Sequence, residues 1–375
     1  MTRRPVIAIN TLSVTPANEG TRTILRELIP ALERIAPELD VLLVGSQANR
    51  SLLPPDADVV ELSGFWSTKI RRIVADQLVV PWRIRKRADL LVTLAGVPTL
   101  HSPVPQIAIV SMHLALPSCD VVAGDAGMGR LHRLYYGWPF RHGLARCAAV
   151  LGISQFVADA VVRELGVPSG IARGMPLGVV PPTNATARTA PADPPLVLFV
   201  GTMYGYKDVP MAVRAFGRAR AQLPHGTRFA IAGKDPGEET AAVRAAMAEA
   251  GVDDVVDVLG MVSDEQLEEL YASASVLVLP SRCEGFGLPA LEAMGRGLPV
   301  IVAATTSLPE VVGDAGIQVP AGDIEGFARA MVEVVTDPAR QLDLSARGLA
   351  RARSMTWSVT AERLHEAITG VLAAR

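Results

Sequence analysis

Two carboxylates and two glycines crowd one short stretch of this 375-residue chain, Pro280-Ser-Arg-Cys-Glu-Gly-Phe-Gly-Leu-Pro-Ala-Leu-Glu-Ala-Met-Gly-Arg-Gly-Leu-Pro299. Gly285 and Gly287 remove side chains where a helix should begin, and Pro289 has the fixed φ suited to a first helical turn. Bare N–H groups and the positive end of a helix dipole suit an anion. Glu284 and Glu292 would repel a phosphate, so their fitting partners are hydroxyl groups on either side of it. A sugar and a ribose flanking a diphosphate would satisfy every group at once. For either glutamate alone, complementing the helix N-terminus, worth roughly 0.3–1 kcal/mol, is an equally good account. Only the combination points to a ligand.

The elements that must hold these residues can be read from the apolar runs. Residues 276–279 and 300–302 bracket the stretch, which makes it the loop and helix between two buried parallel strands. In the first half, strands are expected at 6–10, 41–44, 59–62, 90–94, 107–111 and 150–153. Between the first two, Ile24, Leu25, Leu28, Ile29, Leu32 and Ile35 repeat at helical spacing. In the second half, strands are expected at 196–200, 229–232 and 255–259, again with helical stretches between them. This is the βαβ rhythm of doubly wound sheets, so the fold class is α/β with Rossmann-like units. Val, Leu, Ile and Ala are abundant and aromatics make up only 5%, which fits buried parallel strands and their covering helices.

The length suits two or three domains, and at 49% hydrophobic and 20% charged residues the chain has ample material for large cores. The Pro/Ala/Thr-rich segment 180–195 has no periodicity and reads as a linker. The divisions expected are therefore a first domain at 1–181, a linker at 182–195, a second domain at 196–355 and a terminal helix at 356–375. The N-terminal apolar run is too short for a signal peptide, and no stretch of eighteen apolar residues is available to span a bilayer, so a cytoplasmic protein is expected. Cys119, Cys147 and Cys283 are odd in number and far apart, and are read as reduced thiols. Asp56-Ala57-Asp58 is read as loop, not as a metal site.

The net charge of −2 hides an asymmetry, with 19 basic and 14 acidic residues up to position 187 and 17 against 24 after it. Nucleic-acid binding is disfavoured by the overall charge. The most basic region is 69–87, in which Ile70, Ile73, Val74 and Gln77 share one helical face and Pro81 should end or kink the helix. Its basic side chains beside Trp82 are those of a solvated helix face, or of a surface for lipid headgroups or a phosphate-bearing acceptor.

With seven residues between its glutamates, Glu284-Gly-Phe-Gly-Leu-Pro-Ala-Leu-Glu292 resembles the Glu-x7-Glu signature of the retaining nucleotide-sugar glycosyltransferases of family 4. The resemblance implies the GT-B fold, two Rossmann-like domains facing a central cleft, with the terminal helix crossing back to the first. It implies that Glu284 orients the donor sugar, that Glu292 holds the ribose diol, and that the backbone from Phe286 through Gly287 to Leu288 receives the diphosphate. Lys207, following the strand end at Gly201, would neutralise the same diphosphate. The family's arginine partner is missing, since Thr202 and Tyr206 occupy its usual positions, and Arg282 is the candidate replacement. Val262 would meet the nucleobase through its backbone. His113, at a strand end where open sheets place ligands, would lie beside the sugar, although Leu114 stands where the family has aspartate. Gly20, before the first helix, would admit donor and acceptor, with Glu19 in place of a second glycine.

The expected activity is retaining transfer of a hexosyl residue, a mannosyl one included, from a UDP-, GDP- or dTDP-sugar to a glycan, lipid-linked or small-molecule acceptor. Lys207, Glu284 and His113 would be the catalytic residues, and neither metal nor cofactor would be needed. A peripheral membrane contact through the basic first domain is compatible with this reading. The alternatives are a sugar-nucleotide epimerase of the same fold and a non-catalytic nucleotide-sugar-binding protein, the latter suggested by the substituted basic and His-Asp positions.

Overall fold

The structure, a computed structural model, describes residues 3–15, 19–67, 69–95, 97–111, 137, 139–182, 185–188, 193–237 and 239–374. They divide into two compact units, one made of the residues up to 178 and the last helix, the other of Val179–Thr356.

The first unit is organised by a seven-stranded parallel sheet. Its strands are β1 (Val6–Asn10), β2 (Asp40–Ser46), β3 (Asp58–Leu62), β4 (Leu90–Leu94), β5 (Gln106–Val110), β6 (Ala149–Gly152) and β7 (Ala172–Gly174), in the order β3-β2-β1-β4-β5-β6-β7. The short β7, Ala-Arg-Gly, lacks any apolar run and exists through its pairing with β6. Helix α1 (Glu19–Ile35) buries Ile24, Leu25, Leu28, Ile29 and Leu32, the stripe legible in the sequence. Gly20, expected in the turn before this helix, is its second residue, and a Cβ placed on it would meet no atom within 4 Å. Close packing is therefore not what requires a glycine there.

The basic region departs from expectation in an informative way. Helix α2 (Lys69–Val74) does not stop at the proline but passes through a single π turn, Ala75–Val79, into α3 (Val80–Ile84). Pro81 sits directly after the π turn, in the first turn of α3, and the Val80 N–H donates to the Ala75 carbonyl five residues back. Val74, expected on a buried face, is 41% exposed. Further on, α4 (Gln155–Leu165) starts at Ser154, whose Oγ accepts from the Val157 N–H at 3.1 Å. It ends at Gly166 in the left-handed region. The C-terminal helix (Trp357–Ala373) packs on α1, burying Trp357, Leu364 and Ile368. Thr360 Oγ1 donates to the Pro176 carbonyl at 2.8 Å, and His365 Nε2 lies 2.7 Å from Glu38 Oε1.

The second unit has a six-stranded parallel sheet of β8 (Leu196–Val200), β9 (Arg228–Ala232), β10 (Val256–Gly260), β11 (Val276–Leu279), β12 (Val300–Ala303) and β13 (Ile317–Val319), in the order β10-β9-β8-β11-β12-β13. Its helices are α5 (Val209–Ala219), α6 (Glu239–Ala250), α7 (Asp264–Ser273), α8 (Leu288–Gly295), α9 (Leu308–Val312), α10 (Ile324–Thr336) and α11 (Pro338–Ser354). Val197, Leu198, Phe199 and the whole of β11 are completely buried, as strands covered on both faces must be. In each sheet the strand order reverses at one place, between β1 and β4 and between β8 and β11. Loops leaving the carboxyl ends of such strand pairs diverge and open a crevice for ligand. Among the described residues no helix is long and apolar enough to cross a membrane.

Candidate functional site

The reversal between β8 and β11 is where the sequence-marked residues of the second unit gather. β8 is followed by Gly201, whose N–H donates to the Ala232 carbonyl at 3.0 Å. A Cβ on Gly233 would fall 1.9 Å from the Gly201 carbonyl oxygen, so the turns after β8 and β9 touch backbone to backbone. The chain then makes a 3-10 turn, Gly205–Lys207, and enters α5 through Asp208 at φ 52°. Tyr204 and Tyr206 stack at 5.6 Å across this turn, and the Lys207 Nζ lies 5.4 Å from the Tyr206 ring. Burial, together with the nearby Glu284 carboxylate, pushes the Tyr206 phenol far up.

Lys207 and Glu284, assigned separate partners from the sequence, form a buried ion pair with Nζ 2.5 Å from Oε1. The two residues leave adjacent strands on either side of the reversal, which is why a separation of 77 residues in sequence closes to one hydrogen bond. Arg282 joins the same two loops. Its N–H donates to the Tyr206 carbonyl at 2.8 Å, its Nη2 donates to the Gly205 carbonyl at 3.2 Å, and its Nε lies 3.8 Å from Asp208 Oδ2. Expected to supply positive charge to a phosphate, Arg282 here also fixes the turn that carries Lys207. Burial holds the Asp208 carboxyl above its usual range, against the pull of Arg282 and Arg214.

The loop bearing Glu284 is shaped from below by residues that the sequence reading passed over. Glu284 N–H donates to Thr306 Oγ1 at 3.0 Å, and Ser307 Oγ stands 2.9 Å from both the Glu284 and the Phe286 carbonyl oxygens. Thr306 itself is held at φ 52°. Leu308 Cδ2 would lie 2.6 Å from a Cβ on Gly287, whose φ is 105°, so glycine is required there on two counts. The available signal was Ser307-Leu308-Pro309, a second loop-to-helix entry with proline in its first turn like Gly287-Leu288-Pro289. Phe286 is buried.

Helix α8 begins without a side-chain cap. Among the described residues the Gly287 and Leu288 N–H groups donate to no other main-chain carbonyl, and the carbonyl of Gly287 already serves Ala290 at 3.0 Å. These are the unsatisfied donors that an anion would take up. One turn in, Glu292 Oε2 accepts from the hydroxyl of Tyr271 at 3.1 Å. Tyr271 is fully buried on α7, and burial beside Glu292 raises its phenol well above the ordinary range. Arg296 lies 4.9 Å over the Tyr271 ring, donates to the Glu292 carbonyl at 2.9 Å and pairs with Glu268. Arg188, in the segment read as linker, donates to the carbonyls of Tyr271, Ala272 and Ala274 and so closes the C-terminus of α7. A chain of fixed groups thus runs from the linker to Glu292.

Val262 follows β10 and lines a cavity of about 400 Å³ with Leu259, Met261, Gln266, Glu269, Leu270 and Ser273. The start of α7 beside it is fixed by a capping box between Ser263 and Gln266. Of the expected site residues, Gly201, Lys207, Arg282, Glu284, Phe286, Gly287, Leu288, Glu292 and Val262 belong to the second unit. Gly20 belongs to the first, and His113 lies outside the described residues. Cys283 corrects an expectation, since it is disulfide-bonded rather than a reduced thiol. Spacing along a chain says nothing about the spatial approach a disulfide needs. Cys147 is a free thiol, pushed up to about 12 by burial.

Comparison with known proteins bears on the same region. Residues 194–337 match the family model described as Glycosyl transferases group 1. The chain is 46% identical over 99 residues to an O-antigen chain mannosyltransferase B of Escherichia coli, which covers 26% of each chain. It is 34% identical over 191 residues to a D-inositol 3-phosphate glycosyltransferase of Xylanimonas cellulosilytica, covering 48% of this chain and 45% of that one. The chain thus spans only about a quarter to a half of the length of these curated relatives. Similar solved structures include sucrose-phosphate synthase from Thermosynechococcus elongatus, with TM-score 0.74 and 22% identity over 99% of this chain and 100% of that one. Anabaena HepE in complex with UDP-glucose gives TM-score 0.72 and 15% identity over 97% and 99%.

Proposed function

We propose that this protein, whose residues 194–337 match the group 1 glycosyl transferases and whose two sheets have the fold of solved glycosyltransferases, transfers a hexosyl residue from a nucleoside-diphosphate sugar to a hydroxyl acceptor, with retention at the anomeric carbon. The observation that carries the reading is the buried Lys207–Glu284 pair at the β8/β11 reversal, beside the uncapped start of α8. The mannosyltransferase relative supports a hexosyl donor, mannosyl among the candidates. The UDP-glucose bound by HepE supports a nucleoside diphosphate as the activating group. UDP-, GDP- and dTDP-sugars all present the diphosphate that this site would grip.

In the proposed step the bond between the anomeric carbon and the diphosphate oxygen breaks, and its electron pair stays on that oxygen. The growing negative charge is met by Lys207 and by the Gly287 and Leu288 N–H groups, preorganised donors that need no rearrangement during reaction. Glu284 accepts from hydroxyls of the sugar and fixes its orientation, while Glu292 accepts from the ribose diol. The acceptor oxygen bonds to the anomeric carbon on the face the diphosphate leaves, and its proton passes to the departing phosphate. We assign no metal or cofactor to the scheme. A glycan, a lipid-linked sugar or a small molecule could each provide the hydroxyl.

Incubating purified protein with a panel of UDP-, GDP- and dTDP-hexoses, with and without acceptors, and following products by mass spectrometry tests the reading. Acceptor-dependent release of nucleoside diphosphate with a mass gain of one hexose on the acceptor is expected. Donor turnover or isomerisation that is indifferent to acceptor would replace it with the epimerase reading. A narrower test concerns Tyr271. Losing a hydrogen bond to a carboxylate costs about 1.5 kcal/mol, roughly tenfold in affinity. Tyr271→Phe should therefore raise the donor KM and the Kd of free nucleoside diphosphate about tenfold and leave kcat nearly unchanged. An equal fall in kcat with unchanged KM would mean that Glu292 does not hold the ribose.

A further inference from the structure

The outer side of residues 65–87 in the first unit plays no part in the site just described. Of the five exposed large hydrophobic side chains among the described residues of this unit, four lie here: Phe65 (55% exposed), Val74 (41%), Leu78 (67%) and Trp82 (57%). Burial of the opposite side is complete, with Ala75, Val80 and Ile84 in the core. Residues four apart drift about 40° per step on an ordinary helix. The π turn at Ala75–Val79 takes more residues per turn, and so brings Val74, Leu78 and Trp82 nearer to one line. The result is an apolar ridge facing outward from a segment already anchored by its inner face.

Cationic groups fringe this ridge. The Arg71 guanidinium lies 4.0 Å over the Phe65 ring, and those of Arg83 and Arg85 lie 5.8 Å and 5.4 Å from the Trp82 ring. Lys86 is exposed beside them, and Arg87 is engaged with Asp58. The only acidic side chain in 69–87, Asp76, is buried. Aliphatic side chains such as Leu78 offer nothing to a nucleic-acid base, and a soluble polyanion would gain nothing from the ridge. A negatively charged bilayer uses both components, the ridge at the boundary of headgroups and acyl chains and the cations among lipid phosphates.

We propose that this ridge docks on an anionic lipid bilayer, with Phe65, Leu78 and Trp82 entering the interface and Arg71, Arg85 and Lys86 resting among the headgroups. The inference is independent of the donor chemistry, and its test contains no nucleotide sugar. Full-length protein is sedimented with vesicles of phosphatidylcholine alone or of equimolar phosphatidylcholine and phosphatidylglycerol. Binding to the anionic vesicles only is expected, weakening as salt is raised. With about a fivefold contribution from each basic residue near the surface, Arg71→Ala with Arg85→Ala should weaken it about twentyfold. Leu78→Ser with Trp82→Ser should weaken it at least tenfold, with circular dichroism and melting temperature unchanged because both side chains are exposed. Equal binding to both vesicle types, absence of binding, or wild-type binding by the Leu78/Trp82 variant would overturn the proposal. So would retention on a single-stranded oligonucleotide that matches the anionic vesicles and ignores the apolar substitutions, which would assign the surface to a soluble polyanion.

Discussion

Lys207→Met and Glu284→Leu, made singly, are each expected to slow transfer by about 10²- to 10³-fold and to lower unfolding stability by about 3 kcal/mol, whereas the double variant regains the stability but not the activity. The reasoning starts from the pair's burial. Its side chains are 10% and 8% exposed, with Nζ and Oε1 2.5 Å apart. Removing either partner strands the other charge in a poorly hydrated loop, which is the expensive half of a buried ion pair. Removing both leaves two apolar side chains of similar volume against Tyr206, so the penalty largely disappears. Activity behaves differently because each charge has its own partner in the proposed reaction, Lys207 the departing phosphate and Glu284 the sugar hydroxyls. Urea unfolding of the four proteins gives the coupling energy from the double-mutant cycle. Stabilisation by saturating nucleoside diphosphate, about 2.7 kcal/mol at a hundredfold excess over Kd, should be present in wild type and reduced in both Lys207 variants. Wild-type rates in either single variant would refute the donor-site reading. Strictly additive stability losses would show that the two charges do not support one another.

The strand runs 6–10, 90–94, 196–200 and 276–279 could be read to the residue because a parallel strand covered on both faces is a near-continuous apolar run, broken in these four only by Asn10 and Thr93. The helix entry at Gly287-Leu288-Pro289 was equally plain, since a glycine two residues ahead of a proline marks a helix start, and the structure has Gly287 at φ 105° with Pro289 in the first turn. What escaped was everything that depends on strand order. The sheet sequence β8-β11-β12 brings the loops bearing Lys207, Glu284 and Thr306 together, yet nothing local to any of them announces the other two. Each of Lys207 and Glu284 looked like an independent ligand contact, and their mutual pairing follows only from the β8/β11 adjacency. Tyr271 was hidden because its neighbours on α7 are mostly exposed and polar, so no apolar stripe announces its burial or its contacts with Glu292 and Arg296. Arg188 was lost in a segment whose composition reads as linker although its guanidinium closes a helix end. The π turn before Pro81 answers a proline in a way that helix rules, which offer ending or kinking, do not anticipate.

That same π turn carries the second large effect, because it delivers Asp76 into the core at the β1/β4 reversal. Asp76 is 4% exposed, and its Oδ1 accepts from Asn10 Nδ2 at 2.8 Å. Asn10 is held in turn by the Leu12 N–H, 3.1 Å from its Oδ1. Burial raises the Asp76 carboxyl from 3.8 to about 6, against the weaker opposing pulls of the Asn10 hydrogen bond and Arg72. Since the folded value lies above the unfolded one, the native state holds a proton that the unfolded chain has lost between these limits. The contribution of this group is therefore fully present below about pH 4 and is lost as pH rises through 6. At about 1.36 kcal/mol per unit, a shift of about two units amounts to about 3 kcal/mol. Asp76→Asn keeps an oxygen acceptor for Asn10 and removes the ionisation. The variant should match wild type at pH 4 and exceed it by up to about 3 kcal/mol at pH 8. Taking the difference between the two proteins at each pH cancels every other titrating group, so urea unfolding across that range isolates Asp76. A pH-independent difference would mean that the carboxyl titrates alike in the folded and unfolded chain, so that burial does not raise it. A variant less stable at pH 8 would mean that the charged form is the one this crevice is built to hold, and would make Asp76 a candidate for work at the carboxyl ends of β1 and β4.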